Sequence, residues 1–211
     1  MSDPSHQGEP RIDAVFVTSA ADLRGCPPAD RPEIAVAGRS NAGKSSVLNR
    51  LTGNRHTARV SKTPGRTQLL NFFDVERIAG TPCRGRLVDL PGYGYAKAGR
   101  EAQLRWQALV NRFLSERDNL VAVVLVMDIR HPLQPFDREL IDWAAASKLP
   151  LLALLNKADK LGHGAQQQAL ARVRRHLAAM PLARALPFSA LRGQNVGAVL
   201  DMLREWLAES A

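Results

Sequence analysis

The octapeptide Gly38-Arg39-Ser40-Asn41-Ala42-Gly43-Lys44-Ser45 constrains this chain more than any other stretch. It fits the pattern GxxxxGKS, follows residues 33–37, which read as a short buried strand, and opens a helix over residues 44–51. Phosphate binding needs these residue types at this spacing. Glycines let backbone N–H groups turn inward and approach phosphate oxygens with no Cβ in the way. The helix N-terminus adds partial positive charge. Lys44 would place an ammonium on the β- and γ-phosphates of a nucleotide, and the Ser45 hydroxyl is a candidate Mg²⁺ ligand. The loop alone does not distinguish adenine from guanine.

The rest of the chain repeats a strand–helix rhythm punctuated by Pro and Gly. Strands are expected over residues 33–37, 69–75, 86–90, 121–127, 151–155 and 185–188. The run 121–127 is continuously apolar, as in a central parallel strand covered on both faces. Helices are expected over residues 44–51, 101–114, 136–146 and 165–180. Ala102, Trp106, Leu109, Val110, Phe113 and Leu114 fall at helical spacing, as do Leu170, Val173, Leu177 and Met180. Val196, Val199, Leu200, Leu203 and Leu207 stripe a final helix. This alternation defines an α/β domain, a mostly parallel central sheet with helices on both faces, over residues 31–211. Residues 1–30 read as an N-terminal extension, partly docked on the core through the apolar 15–17 segment. Cys26-Pro27-Pro28 and Pro32 make a stiff connector.

Asn156-Lys157-Ala158-Asp159 follows the strand 151–155. A carboxylate there can accept two hydrogen bonds from guanine, one from the ring N–H and one from the exocyclic amine. Adenine offers no such pair and would leave Asp159 desolvated and unpaired, so selection is strong. The Lys157 stem can lie on the base, and the Asn156 amide can tie neighbouring loops together. Phe188-Ser189-Ala190 closes the next strand, where a backbone N–H can meet the guanine carbonyl oxygen; the structural alternative is a capping serine.

Asp89-Leu90-Pro91-Gly92 ends another strand. Asp89 can hold Mg²⁺ through a water, and the Gly92 N–H can bind the γ-phosphate. The segment Gly92-Tyr93-Gly94-Tyr95 would lose its ordering contact on hydrolysis. Thr63-Pro64-Gly65-Arg66-Thr67 is the candidate first switch, with a threonine hydroxyl completing the metal shell; local physics does not choose between Thr63 and Thr67. Arg55, Arg59, Lys62 and Arg66 make this segment basic.

Net charge is +9, unevenly spread. Residues 1–30 hold two basic and five acidic side chains, and the remainder holds 27 basic and 15 acidic. A body this basic suits a phosphate-rich partner such as nucleic acid or the ribosome. Cys26 and Cys83 are isolated and the five histidines are scattered, so no zinc site is expected. The polar N-terminus lacks an apolar signal core, and no apolar run approaches the roughly 18 residues of a membrane span, so a cytoplasmic protein without membrane contact is expected.

Taken as a set, GRSNAGKSS, SKTPGRTQLLNFF, VDLPGYGYA, NKAD and FSA closely resemble the EngB (YihA/YsxC) family of bacterial ribosome-biogenesis GTP-binding proteins, over residues 12–208. The resemblance implies a Ras-like P-loop GTPase fold and Mg²⁺-dependent hydrolysis of GTP to GDP. It also implies a role in assembly of the large ribosomal subunit, with links to cell division and septation. It implies Ser45 and Thr67 as Mg²⁺ ligands, and Gly38 to Ser45, Gly65 to Thr67, Asp89 to Gly92, Asn156 to Asp159 and Phe188 to Ala190 as nucleotide-binding segments. By this analogy Thr67 is preferred to Thr63, and Lys44, Thr67 and Gly92 surround the γ-phosphate as the catalytic set. A monomer is expected.

One departure bears on rate. Ras places a glutamine directly after the DxxG glycine to orient the attacking water, and here Tyr93 stands there, so slow intrinsic turnover is expected. Asn41 resembles the loop asparagine of potassium-stimulated GTPases, which implies stimulation by K⁺; the alternative is an asparagine that only shapes the loop. A second functional reading is a non-catalytic GTP/GDP-gated module at another phosphate-rich or septal partner. A P-loop kinase is disfavoured, because there is no lid-like insertion and Asn156 to Asp159 argue against ATP.

Overall fold

The computed structural model describes residues 10–53, 69–93 and 100–208. In chain order the elements are β1 (Ile12–Ala20), a 3-10 turn (Leu23–Gly25), β2 (Glu33–Gly38), α1 (Lys44–Thr52), β3 (Leu70–Ile78) and β4 (Thr81–Asp89). Then come α2 (Arg100–Glu116), β5 (Leu120–Asp128), α3 (Pro135–Ala146), β6 (Leu151–Asn156), a 3-10 turn (Ala158–Lys160), α4 (His163–His176), β7 (Ala183–Pro187) and α5 (Val196–Ala208). The seven strands form one sheet in the order β1-β3-β4-β2-β5-β6-β7. Pairings from β4 through β7 are parallel, whereas β1–β3 and β3–β4 are antiparallel.

Strands β2 and β6 are buried at every position, as their apolar runs 34–37 and 151–155 require of strands covered on two faces. One face packs against α2, α3 and α4 through Val110, Phe113, Leu140, Ile141, Leu170 and Val173. The other packs against α1 and α5 through Val47, Leu48, Leu51, Val199, Leu200 and Leu203. Among the described residues no helix is long and apolar enough to cross a membrane.

The structure corrects several sequence expectations. The strand placed at 86–90 begins at Thr81 and forms a hairpin with β3, closed by Ala79 (φ 50°) and Gly80 (φ 81°). Two consecutive positive φ values are the geometry that matches the twist of paired strands. The early half of β4 was hidden because residues 81–84 have little apolar content and lie largely exposed. The helix placed at 165–180 runs from His163 to His176, and Met180 lies beyond it. The strand placed at 185–188 spans Ala183–Pro187. Ala102 and Trp106 fall among residues whose side chains are outside the described set.

The docking of the N-terminal extension also differs from expectation. Residues 12–20 form one of the sheet's two edge strands, but Val15, Phe16 and Val17 are exposed. Burial comes instead from Ile12 and Ala20, and Phe16 makes an edge-on ring contact with Phe73 at 5.6 Å. Ladder hydrogen bonds to β3 supply the rest.

A buried ion cluster closes the pole at the amino end of β2. Glu33, fully buried, accepts hydrogen bonds from Arg86 Nη1 at 2.8 Å and from Arg117 Nη2 at 2.7 Å. Arg86 also donates to Asp74 and to the Pro28 carbonyl, and Arg117 donates to the Pro27 carbonyl. These bonds clamp the proline connector against the base of the sheet.

Candidate functional site

Strands β2, β4, β5, β6 and β7 all point their carboxyl ends toward one edge of the sheet. In open α/β sheets this edge is where ligands bind. The loop after β2 shows why its glycines are needed. A Cβ on Gly38 would lie 2.7 Å from the Val126 carbonyl oxygen, and Gly43 adopts φ 91° with Asn156 Nδ2 against the position of a Cβ. Asn41 also has positive φ (68°), a conformation asparagine tolerates better than most residues. The turn is closed by Ala42 N–H to the Arg39 carbonyl at 3.0 Å.

Helix α1 begins at Lys44, and its N-terminal Gly43 supplies no side-chain cap. Its first-turn N–H groups are thus directed at the loop without a helical acceptor. Lys44 is buried and its ammonium contacts Asp89 Oδ1 at the end of β4. Ser45 follows on α1, half-buried. The segment after Asp89 runs along the loop: Ser40 N–H donates to the Tyr93 carbonyl at 2.6 Å, and Gly92 abuts Ser40. Leu90 and Pro91 are buried behind it. The Ser40 hydroxyl is buried with no hydrogen-bond partner among the described residues.

The far side of the site is held by the loop after β6. Asn156 Nδ2 donates to the Ala42 carbonyl at 2.9 Å, and Asn156 Oδ1 accepts from Ala190 N–H at 3.3 Å. One amide therefore ties three loops together, as expected. Lys157, at φ 65°, donates to the Asn41 carbonyl at 2.5 Å and to Asp128 Oδ2 at 2.9 Å. Ala158 is buried, with its N–H on the Phe188 carbonyl at 3.0 Å. Asp159 accepts from the Ser189 hydroxyl at 2.6 Å, which holds its carboxyl below the usual value. Ser189 in turn accepts from Arg192 N–H at 3.1 Å, so it caps its own loop and aims Asp159 at once.

A cleft of about 200 Å³ opens between the phosphate loop and Asp128, His131 and Lys157. The structure thus brings together Gly38 to Ser45, Asp89 to Gly92, Asn156 to Asp159 and Phe188 to Ala190. Thr63, Pro64, Gly65, Arg66 and Thr67 lie outside the described residues, as do Arg55, Arg59, Lys62, Gly94 and Tyr95.

Sequence reading missed three residues that shape the site. Asp128, at the end of β5, fixes the Lys157 ammonium. Burial pushes its carboxyl up, but hydrogen bonds from Arg130 and Lys157 outweigh this and hold it far below the ordinary range. Its place at a strand's carboxyl end was the available signal. Gln166 donates to the carbonyls of Ala158 and Leu161, bracing the turn that carries Asp159. Asp137, on α3, accepts a hydrogen bond from the Tyr93 hydroxyl. Neither had a local signature.

This strand order, with these loops at its carboxyl edge, is that of the P-loop GTPases. The family model described as 50S ribosome-binding GTPase matches residues 33–157. The probable GTP-binding protein EngB of Tolumonas auensis is 50% identical over 192 residues, covering 90% of this chain and 88% of the relative. That of Enterobacter sp. is 49% identical over 192 residues, covering 90% and 89%. A crystal structure of a probable GTP-binding protein EngB superposes with a TM-score of 0.67 at 25% identity, covering 84% of this chain and 99% of that one. The chain belongs to the EngB family of GTP-binding proteins, and its activity is GTP hydrolysis.

Proposed function

We propose that this GTPase is a Mg²⁺-dependent switch acting in the cytoplasm as a single chain during assembly of the large ribosomal subunit, and that normal cell division and septation depend on it. In this reading Lys44 and the first-turn N–H groups of α1 hold the β- and γ-phosphates. Ser45 and Thr67 are the metal ligands, Asp89 acts through a water, and the Gly92 N–H meets the γ-phosphate. Gly65 and Arg66 flank the nucleotide beside Thr67. Asp159 reads guanine, and Lys157 covers it.

The donor set fits Mg²⁺. The side chains at this point are the Asp89 carboxylate and the Ser45 hydroxyl, both hard oxygen donors, beside a helix start. Mg²⁺ takes one or two protein oxygens and completes its shell with phosphate and water, so a cluster of three acidic or imidazole ligands is not needed. When bound it would neutralise charge building on the phosphates. The protein's own contribution is positional: Lys44 is buried beside Asp89, which puts phosphate cation and metal carboxylate in one contact. Catalysis is then electrostatic preorganisation by Lys44, Thr67 and Gly92.

The observation that carries the guanine reading is the Ser189–Asp159 bond, which aims an ionised carboxylate whose nearest lysine or arginine among the described residues is Lys160, at 3.7 Å. The basic body and the ribosomal description of the matching family support the partner. Co-sedimentation with purified large subunits, with a GTP analogue, GDP or no nucleotide, tests it. Binding favoured by the analogue is expected, and absence from the subunit fraction under all three conditions overturns the ribosomal role.

Potassium stimulation is a separate part of the proposal. Positive φ at position 41 already accounts for an asparagine there, so the ion must be tested directly. Faster single-turnover hydrolysis in K⁺ than in Na⁺ is expected, and equal rates would sink the idea.

A further inference from the structure

Strand β7 pairs with β6 on one side only, so its other edge is the open end of the sheet. Alongside that edge, the C-terminal turn of α4 and the second half of α5 flank a groove of about 730 Å³. Arg174 and Arg184 line it, with Leu182, Met202 and Trp206 giving it apolar walls. Leu182 is exposed, and Met202 and Trp206 are half-buried.

The stretch of chain that carries the two groove arginines is one-sided in charge. Residues 161–200 contain five arginines, at 172, 174, 175, 184 and 192, and no aspartate or glutamate. All five are exposed. Arg184 donates to the Pro181 and Ala183 carbonyls, and among the described residues none of the five meets a carboxylate. Several arginines elsewhere, Arg31, Arg86, Arg112, Arg117, Arg130 and Arg204, are each held by an acidic group. One acid, Glu205, lines the groove.

We propose that this groove binds a single-stranded segment of RNA, with phosphates on Arg174 and Arg184 and a base against the apolar wall carrying Trp206 and Met202. Both cations lining the groove are arginine, whose planar guanidinium pairs with phosphate bidentately and stacks on bases, where lysine offers only a point charge. Arginines not held by a carboxylate, beside an aromatic, apolar wall, are what single-stranded recognition uses. A concave groove does not suit a flat membrane surface. The groove begins at the amino end of β7, whereas Ser189 and Asp159 lie past its carboxyl end, so RNA and guanine nucleotide would occupy separate places. The inference rests on the ribosomal reading for the source of the RNA, and not for the chemistry of the groove.

The test uses the full chain, a fluorescent mixed-sequence single-stranded RNA dodecamer, polyglutamate of equal charge as competitor, and large subunits. Arg174→Glu/Arg184→Glu is expected to weaken oligonucleotide binding at least ~10-fold and to flatten its salt dependence, leaving GTP affinity and thermal midpoint unchanged. Glu205→Lys is expected to strengthen binding, which a merely structural role would not do. If the double variant binds the oligonucleotide like the parent, or if polyglutamate competes as well as unlabelled RNA, the proposal is overturned. Subunit binding that survives the double variant would remove the groove and leave the ribosomal role standing. Arginine-dependent oligonucleotide binding without subunit binding would do the reverse.

Discussion

The Tyr93 hydroxyl, one residue past Gly92, donates its hydrogen to Asp137 on α3, and its ring packs against Phe136 with centroids 4.3 Å apart. Tyr93 is only 5% exposed, and burial beside the Asp137 charge drives its phenol pKa far above the ordinary value. Asp137 in turn accepts from Gln134 N–H at 2.8 Å, closing the first turn of α3. The side chain at the position of Ras's water-orienting glutamine thus faces the core. Tyr93→Phe is expected to leave single-turnover GTP hydrolysis near the parent value. It should cost about 1–3 kcal/mol of stability, because a buried carboxylate loses its donor. Stopped-flow phosphate release and urea denaturation check the two halves; a large loss of turnover at unchanged stability would contradict this account.

Asp159 carries guanine selection. Asp159→Asn replaces an acceptor-only group by an amide whose N–H₂ would face the guanine amine. GTP affinity is expected to fall by at least ~100-fold, while xanthosine triphosphate, which presents a carbonyl there, should gain. Competition titrations against a fluorescent nucleotide measure both.

Acid should loosen the base-reading loop. Asp128 and Asp159 both have carboxyl pKa values below the ordinary range in the folded protein. A depressed folded pKa contributes stability that is fully present well above the unfolded value of about 3.9 and is lost as pH falls below it. The thermal midpoint is therefore expected to drop progressively below about pH 5 and to go on falling below pH 3, because Asp128 stays ionised far below the ordinary carboxylate range. Asp128→Asn should be less stable at neutral pH and show a shallower acid loss; an identical pH profile would refute the assignment.

Glu33 is the keystone of the opposite pole, with Arg86 and Arg117 both on its carboxylate. Glu33→Gln leaves two guanidinium groups facing a neutral amide and is expected to cost roughly 3–5 kcal/mol. Urea denaturation would show a lower midpoint with little change in slope.

The site was legible where its chemistry is written in neighbouring residues. Gly38 to Ser45 announced a strand, a turn and a helix start together, because positive φ at Gly43 and the close approach at Gly38 admit little else. Asn156 to Asp159 announced a turn at a strand end. The β3–β4 hairpin was half hidden because the exposed start of β4 has no apolar pattern to read. The exposure of residues 15–17 was unreadable because an edge strand's outer side depends on what lies beside it.

The phosphate loop from Gly38 to Ser45 and the turn carrying Asp159 were determined by sequence alone, since both are consecutive residues with local backbone demands. The bonds that position them were decided by tertiary structure. Tyr93 meets Asp137 across 44 residues, Lys157 meets Asp128 across 29, and Arg117 meets Glu33 across 84. Strand order creates these contacts, and no local propensity encodes which distant carboxylate a buried tyrosine, lysine or arginine will find. The same holds for the groove beside β7: the run of arginines is visible in the chain, but only the open sheet edge sets Arg174, Arg184 and Trp206 around one cavity.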